Sequence, residues 1–255
     1  MSASDPLAES AAPPSAADLR LLDDPIWNSL RIEHAHLALA NARARRYPPA
    51  IGPLSGIADT SAASYEALRE LTAPNGVAVL FLASKYEPQS GWTLVRDGQL
   101  LQMICPEPIA ATPESFAPGA QIIPLTAADN REMIELAHLT EPGPFFDRTA
   151  ELGSFFGIRL DGRLAAMAGE RTRFPRFVEV SAVCTHPDAR GRGYGKALTA
   201  TVARHIRAGG KTPILHLFAA NKPALSVYQS LGFQVRHSLE LAVLRNTGNG
   251  DSIHE

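Results

Sequence analysis

Apolar and polar positions alternate with two periods along this chain, and the change of period marks its elements. Between residues 19 and 49, leucines and alanines set among charged side chains predict a helix-dominated segment that closes on Arg45-Arg46-Tyr47-Pro48-Pro49. Residues 64–71 then read as a short helix and residues 77–82, an unbroken apolar run, as a buried strand. Residues 92–95 and 100–104 read as a hairpin turning at Asp97-Gly98. After a stretch rich in Pro, Ala and Gly, the order becomes strand (122–125), helix opened by Thr126, an irregular segment (140–146), a hairpin over Asp161-Gly162, and a strand (177–185). A helix ending at Gly209-Gly210, a strand (214–219), a helix (223–230) and two closing strands (233–237 and 239–244) complete the pattern. In the 177–185 strand, period-two alternation places Glu179, Ser181, Val183 and Thr185 on one face.

These elements predict a mixed α/β protein in five segments. They are a disordered leader (1–18), an amino-terminal α/β domain (19–104), a linker (105–119), a second α/β domain (120–245) and a flexible tail (246–255). Composition narrows the function classes. A net charge of −2 with scattered Lys and Arg argues against nucleic-acid binding or attraction to an anionic membrane. Cys105 and Cys184 are far apart and form no CxxC pair, which argues for a reducing, cytoplasmic setting without a disulfide framework. His34 and His36 lie two apart, a spacing that puts them on different sides of a helix, so they are read as structural and no metal is expected. Arg43, Arg45 and Arg46 are read as the solvated end of that helix.

The most informative stretch is Arg190-Gly191-Arg192-Gly193-Tyr194-Gly195-Lys196, which follows a β-branched strand and opens a helix. Glycine admits positive φ and lets a ligand lie against bare backbone. The N-terminus of the following helix offers unpaired N–H groups and the positive end of its dipole, and Arg190 and Arg192 add charge, so the loop suits a pyrophosphate. It is not a P-loop: Arg190 stands where the first glycine belongs, and Ala197 follows Lys196. Nor is it a dinucleotide fingerprint, because the third glycine position, counted from Gly191, is Lys196.

The loop resembles the (Gln/Arg)-x-x-Gly-x-(Gly/Ala) signature of the GNAT superfamily of N-acetyltransferases, with Arg190, Gly193 and Gly195 in the defined places. A second stretch, Asn221 through Ala224, Tyr228, Gly232 and Phe233, resembles that family's N-x-x-A-x-x-x-Y-x-x-x-G-F. The resemblance covers residues 121–245. It implies a mostly antiparallel sheet flanked by helices, in which two central parallel strands splay apart to admit the thioester of acetyl-CoA. The helix-then-strands order of the amino-terminal segment is open to reading as a degenerate copy of the second domain, as in two-lobed members of the family.

By the same resemblance, backbone groups of Val183, Cys184 and Thr185 and the side chain of Asn221 hold the pantetheine arm. The amides of Gly191, Arg192, Gly193, Tyr194, Gly195 and Lys196 take the pyrophosphate beside Arg190. Tyr228 occupies the position of the acid that protonates the departing thiolate. Two groups compete as base. Glu179 lies eleven residues before Arg190, as in histone-type members; His216 lies five before Asn221, where ribosomal-protein acetyltransferases keep a glutamate. Pro142, Phe145 and Phe146 stand where the family places the acceptor pocket, and equally suit loop packing. The implied activity is acetyl transfer from acetyl-CoA to a primary amine, on a small molecule, a peptide N-terminus or a lysine, by direct attack in a ternary complex. The rival reading is a non-catalytic acetyl-CoA-binding regulatory module. A homodimer is compatible with either. Cys184 as a nucleophile is set against simple core packing, and metal-dependent hydrolysis is opposed by the lack of a ligand cluster.

Overall fold

The computed structural model describes residues 14–110 and 120–248. Helices α1 (Ala16–Arg20) and α2 (Pro25–Arg31) are followed by a small sheet of β1 (Leu39–Ala40), β2 (Ala44–Arg46) and β3 (Ser55–Ile57). Then come α3 (Ala62–Glu70), β4 (Val77–Leu82), β5 (Trp92–Ile104), β6 (Ile122–Leu125) and α4 (Asn130–Thr140). The carboxyl-terminal part adds β7 (Phe155–Leu160), β8 (Arg163–Arg173), β9 (Phe177–Thr185), α5 (Tyr194–Ala208), β10 (Thr212–Phe218), α6 (Lys222–Ser230) and β11 (Gln234–Asn246).

One eight-stranded sheet runs β4-β11-β5-β10-β9-β8-β7-β6. Every neighbouring pair is antiparallel except β9 and β10, as expected for a mixed, mostly antiparallel sheet. That parallel pair is matched only over Thr212↔Phe177, Pro213↔Val178 and Ile214↔Glu179, after which the strands part. α5 packs on β8, β9 and β10 through Leu198, Val202, Ala203 and Ile206, in one core cluster with Val178, Val180 and Leu215. Burial of such aliphatic side chains is the main force holding the layers together.

Several expectations change. No hairpin forms at Asp97-Gly98; β5 is one 13-residue strand hydrogen-bonded to β11 along its length and to β10 over Leu100–Ile104. Pairing on both edges keeps it extended. A Cβ at Gly98 would stand 3.1 Å from the Phe218 ring, so glycine serves close approach there rather than a turn. The sheet therefore crosses the segment expected to be an interdomain linker, of which residues 111–119 lie outside the described residues, as do 1–13 of the leader and 249–255 of the tail. The two closing strands are one, β11, with irregularities at Val235/His237 and Val243/Leu244.

The amino-terminal segment is less helical than expected. Ala44–Arg46 pairs with Ser55–Ile57, and Arg46 is buried, donating to Thr72 Oγ1 at 2.6 Å and to the Val77 carbonyl at 3.2 Å, not solvated at a helix end. His34 is buried against the Tyr47 hydroxyl at 2.7 Å, and burial, reinforced by Arg173, lowers its pKa to about 4. It is a structural, neutral imidazole.

Candidate active site

The parting of β9 from β10 opens a cleft of about 780 Å³. Arg190, Thr185 and Asn221 line it on the side of the glycine loop, Tyr228 on its flank, and Val79 and Phe81 of β4 on the wall furnished by the amino-terminal half. Local backbone explains its shape. Ala182 has φ of 51°, and three steps of β9 (Ser181 to Cys184) face two of β8 (Gly169 to Met167), so one extra residue sits in β9. This bulge breaks the alternation expected beyond Ser181 and turns residues 181–185 toward the cleft. Val183, Cys184 and Thr185 all line it, where the resemblance expects the pantetheine arm.

The loop residues Gly191 and Gly193 have φ of 78° and 77°, and a Cβ on either would meet nothing within 4 Å, so both face open space. Gly193 is the N-cap of α5, whose first recorded bond runs from Ala197 N–H to the Gly193 carbonyl at 3.0 Å. The N–H groups of Gly195 and Lys196 precede that bond and belong to the helix's positive end. Gly195 sits over β9, where a Cβ would be 3.7 Å from Val183 Cγ1. Arg190 lines the cleft, whereas Arg192 is turned to a neighbouring hollow and donates to the Asp188 carbonyl at 3.4 Å. The Tyr194 side chain is buried in the core, leaving its backbone in the loop.

Asn221 caps α6, accepting from Ala224 N–H at 3.2 Å with Oδ1, while its side chain borders the cleft. Tyr228, about two turns further on, packs on Phe233, and burial raises its pKa to about 12. The phenol is therefore protonated across the neutral range. No protein group hydrogen-bonds its hydroxyl among the described residues. Burial likewise pushes the Cys184 thiol up to about 11, despite its bond with Thr140, so little thiolate exists near pH 7. Pro142 lines the cleft; Phe145 instead packs edge-on against Phe155 in the core, and Phe146 is exposed.

Glu179 and His216, the competing bases, come together. His216 Nδ1 lies 2.6 Å from Glu179 Oε1, bridging the strands where they part. Glu179 is fully buried and receives Arg171 through Nε (2.9 Å) and Nη2 (2.5 Å), as well as the Thr172 hydroxyl at 2.8 Å. Burial alone would raise its pKa; the Arg171 charge and the hydrogen bonds from His216 and Arg171 outweigh that and hold it well below the usual carboxylate range.

The far nitrogen of His216 is also engaged. Gln102 Nε2 stands 2.9 Å from His216 Nε2 and 2.8 Å from the Leu22 carbonyl, and Gln102 Oε1 accepts from Arg236 Nη1 at 2.8 Å. Those partners fix the amide orientation, so Gln102 donates to His216 Nε2. His216 is then the neutral Nδ1–H tautomer, donating to Glu179. Arg171 and Gln102 escaped the sequence reading. The available signal was a lone glutamine in the otherwise apolar run Leu100–Ile104, buried to 0% exposure. Among the described residues no group of three or more His, Cys, Asp or Glu side chains could hold a metal ion, and no helix is long and apolar enough to cross a membrane.

Comparison with known proteins agrees with this architecture. The family model described as FR47-like protein matches residues 155–241. Mycothiol acetyltransferase of Streptomyces avermitilis is 35% identical over 135 residues, spanning 49% of this chain and 44% of its own length. The chain thus spans less than half the length of the curated relatives it matches. A GCN5-related N-acetyltransferase from Kribbella flavida, 18% identical with a TM-score of 0.57 over 87% of this chain and 96% of its own, shares the fold. A putative acetyltransferase of the GNAT family from Novosphingobium aromaticivorans has 38% identity and a TM-score of 0.81, covering 89% of this chain and 99% of that one. With likeness at that identity extending over nearly the whole of both chains, this chain belongs to the GNAT family of acetyltransferases.

Proposed function

We propose that the chain moves an acetyl group from acetyl-CoA to a primary amine by direct attack within a ternary complex. The observation that carries this reading is the single cleft that begins at the glycine loop, passes the bulged edge of β9 and reaches the Tyr228 phenol. The loop amides of residues 191–196 and Arg190 bind the pyrophosphate. The exposed backbone of Val183, Cys184 and Thr185, with Asn221 opposite, aligns the pantetheine arm. Tyr228 gives its proton to the departing thiolate sulfur as the amide C–N bond forms and the thioester C–S bond breaks, and the proton then lost by the attacking nitrogen returns through water to restore the phenol.

Neither Glu179 nor His216 takes the amine proton directly in this mechanism. The Glu179 carboxylate is a weak base whose oxygens are already engaged, and the His216 lone pair is occupied by Gln102. The two hold the floor of the cleft, and the amine loses its proton to water at the open mouth. Accordingly, kcat/KM rises with pH along the ionisation of each acceptor amine. A profile with one fixed enzyme pKa for all amines overturns the assignment.

The reading as a whole is tested by thiol release from acetyl-CoA across a panel of amines, with calorimetric binding of acetyl-CoA alongside. Turnover with an amine supports transfer; tight binding without turnover on the whole panel supports the regulatory module. Tyr228→Phe lowers kcat roughly 100-fold and leaves acetyl-CoA affinity within a factor of two, since general acid catalysis is worth about 10²–10⁴. Undiminished turnover in that variant assigns thiolate protonation to water.

A further inference from the structure

Beyond the cofactor end, the cleft is lined by cations and hydrocarbon. Its far wall is Leu54, Val79, Phe81, Leu100 and Leu241, all buried in one apolar cluster. Its charged lining consists of Arg96, Arg171 and Arg190 against a single carboxylate, Glu141. Arg190 belongs to the glycine loop and is committed to phosphate in the proposed reading. Arg96 lies 4.8 Å over the Phe218 ring and forms no ion pair among the described residues. An acceptor that carries an anionic group besides its amine finds hydrogen-bond donors in such a wall.

Arg171 shows where that anion goes. It sits in an irregular stretch of β8, between Glu170 and Arg173, where the register to β9 shifts. Its guanidinium offers five N–H donors in a rigid fork. Glu179 takes only the side-on edge, Nε and Nη2. The end-on edge, formed by Nη1 and the second N–H of Nη2, has no protein acceptor among the described residues. The side chain keeps 18% exposure and lines the cleft with its Cζ 5.7 Å over Phe81. A donor pair in that geometry matches the two oxygens of a second carboxylate, whereas a lone carbonyl satisfies half of it. Glu179 cannot swing round to fill it, because the carboxylate is pinned by Thr172 and His216.

We propose that the acceptor is a small amino acid: an amine whose carboxylate docks on the end-on edge of Arg171 and whose apolar side chain lies on the β4 wall. This rests on the acyl-transfer reading and adds the acceptor class to it. Glu179, His216 and Gln102 are positioning residues that hold the fork still, so that the amine projects toward the thioester.

The test compares L-leucine and L-phenylalanine with leucinamide and phenylalaninamide, which lack the carboxylate and carry a less basic amine, by thiol release from acetyl-CoA with each kcat/KM referred to the free-amine form of the acceptor. The amino acids are expected to show a kcat/KM about 100-fold above their amides, the scale of a charged hydrogen-bonded contact. In Arg171→Met/Glu179→Gln, which removes both charges together and leaves no uncompensated ion, the ratio falls to about one through KM. Arg171→Lys, which keeps the charge and loses the fork, gives an intermediate ratio. Thermal midpoint and calorimetric acetyl-CoA affinity confirm that each variant is folded and loaded. Equal use of acids and amides by the wild type overturns the proposal, as does an unchanged ratio in the double variant. If no amine turns over, it is acyl transfer that fails, and L-phenylalanine is titrated calorimetrically into protein saturated with CoA. Binding lost in the double variant upholds the anchor; no binding to the wild type overturns it.

Discussion

Glu179→Ala lowers the stability of the chain by about 3–5 kcal/mol, the usual consequence of removing one partner of a buried ion pair, and the thermal midpoint by roughly 10 °C. The loss exceeds that of a cavity because Glu179 is the acceptor for three neighbours at once. Without it the Arg171 guanidinium, 18% exposed, retains its charge in a low-dielectric site with no counter-ion, and the Thr172 hydroxyl and the His216 Nδ1–H lose their acceptor. The damage spreads along the chain of contacts, since His216 is held on its other side by Gln102, and Gln102 by Arg236. Urea denaturation is the measurement: the midpoint falls while the m-value stays constant. A loss below about 1 kcal/mol, the level of an exposed pair, would sink the idea that this network ties β5, β8, β9 and β10 together. The pH dependence has a definite sign. Because the folded-state pKa of Glu179 is depressed, its stabilisation is fully present above the unfolded carboxyl value and is lost as pH falls through the folded one. The wild-type and Glu179→Ala curves therefore converge in acid, below about pH 4.

What the sequence made legible is local. The glycine loop and the Thr126 cap announce themselves through residues whose backbone roles do not depend on distant partners, because positive φ and helix capping are decided within a few positions. The order of elements from β6 to α6 follows from hydrophobic period alone. Strand pairing does not. Nothing in the residues 92–104 shows that they insert between β10 and β11, and the Asp97-Gly98 pair signals a turn until Phe218 is found where a side chain would have to go. The bulge at Ala182 is equally hidden, since alanine is not a residue that favours positive φ and the strain is held by the tertiary frame. Charge pairing across the sheet is hidden for the same reason. Glu179 and His216 were separable as rival bases in sequence, and only the fold shows them joined by one hydrogen bond, from His216 Nδ1–H to the carboxylate.

Gly193→Glu abolishes acetyl-CoA binding, with an expected loss of at least about 100-fold, while leaving the fold nearly untouched. A Cβ at Gly193 has no atom within 4 Å, so the new side chain displaces no protein group. Its φ of 77° costs an L-residue roughly 1–2 kcal/mol. That strain is partly offset because a carboxylate at the N-terminus of α5 interacts favourably with the helix dipole, by about 0.3–1 kcal/mol. In the proposed reading the same carboxylate stands where the pyrophosphate lies and presents like charge to it at contact distance. It also takes the N–H groups that the phosphate needs. Gly193→Ala separates the effects: it carries the backbone strain without the charge and is expected to weaken binding only a few-fold, at a thermal midpoint no higher than that of the glutamate variant. Calorimetric titration of acetyl-CoA into all three proteins reads the difference. If the glutamate variant binds like the wild type, the phosphate sits elsewhere. If alanine is as damaging as glutamate, loop conformation rather than electrostatics governs binding, and the roles given to the helix dipole and Arg190 fall with it.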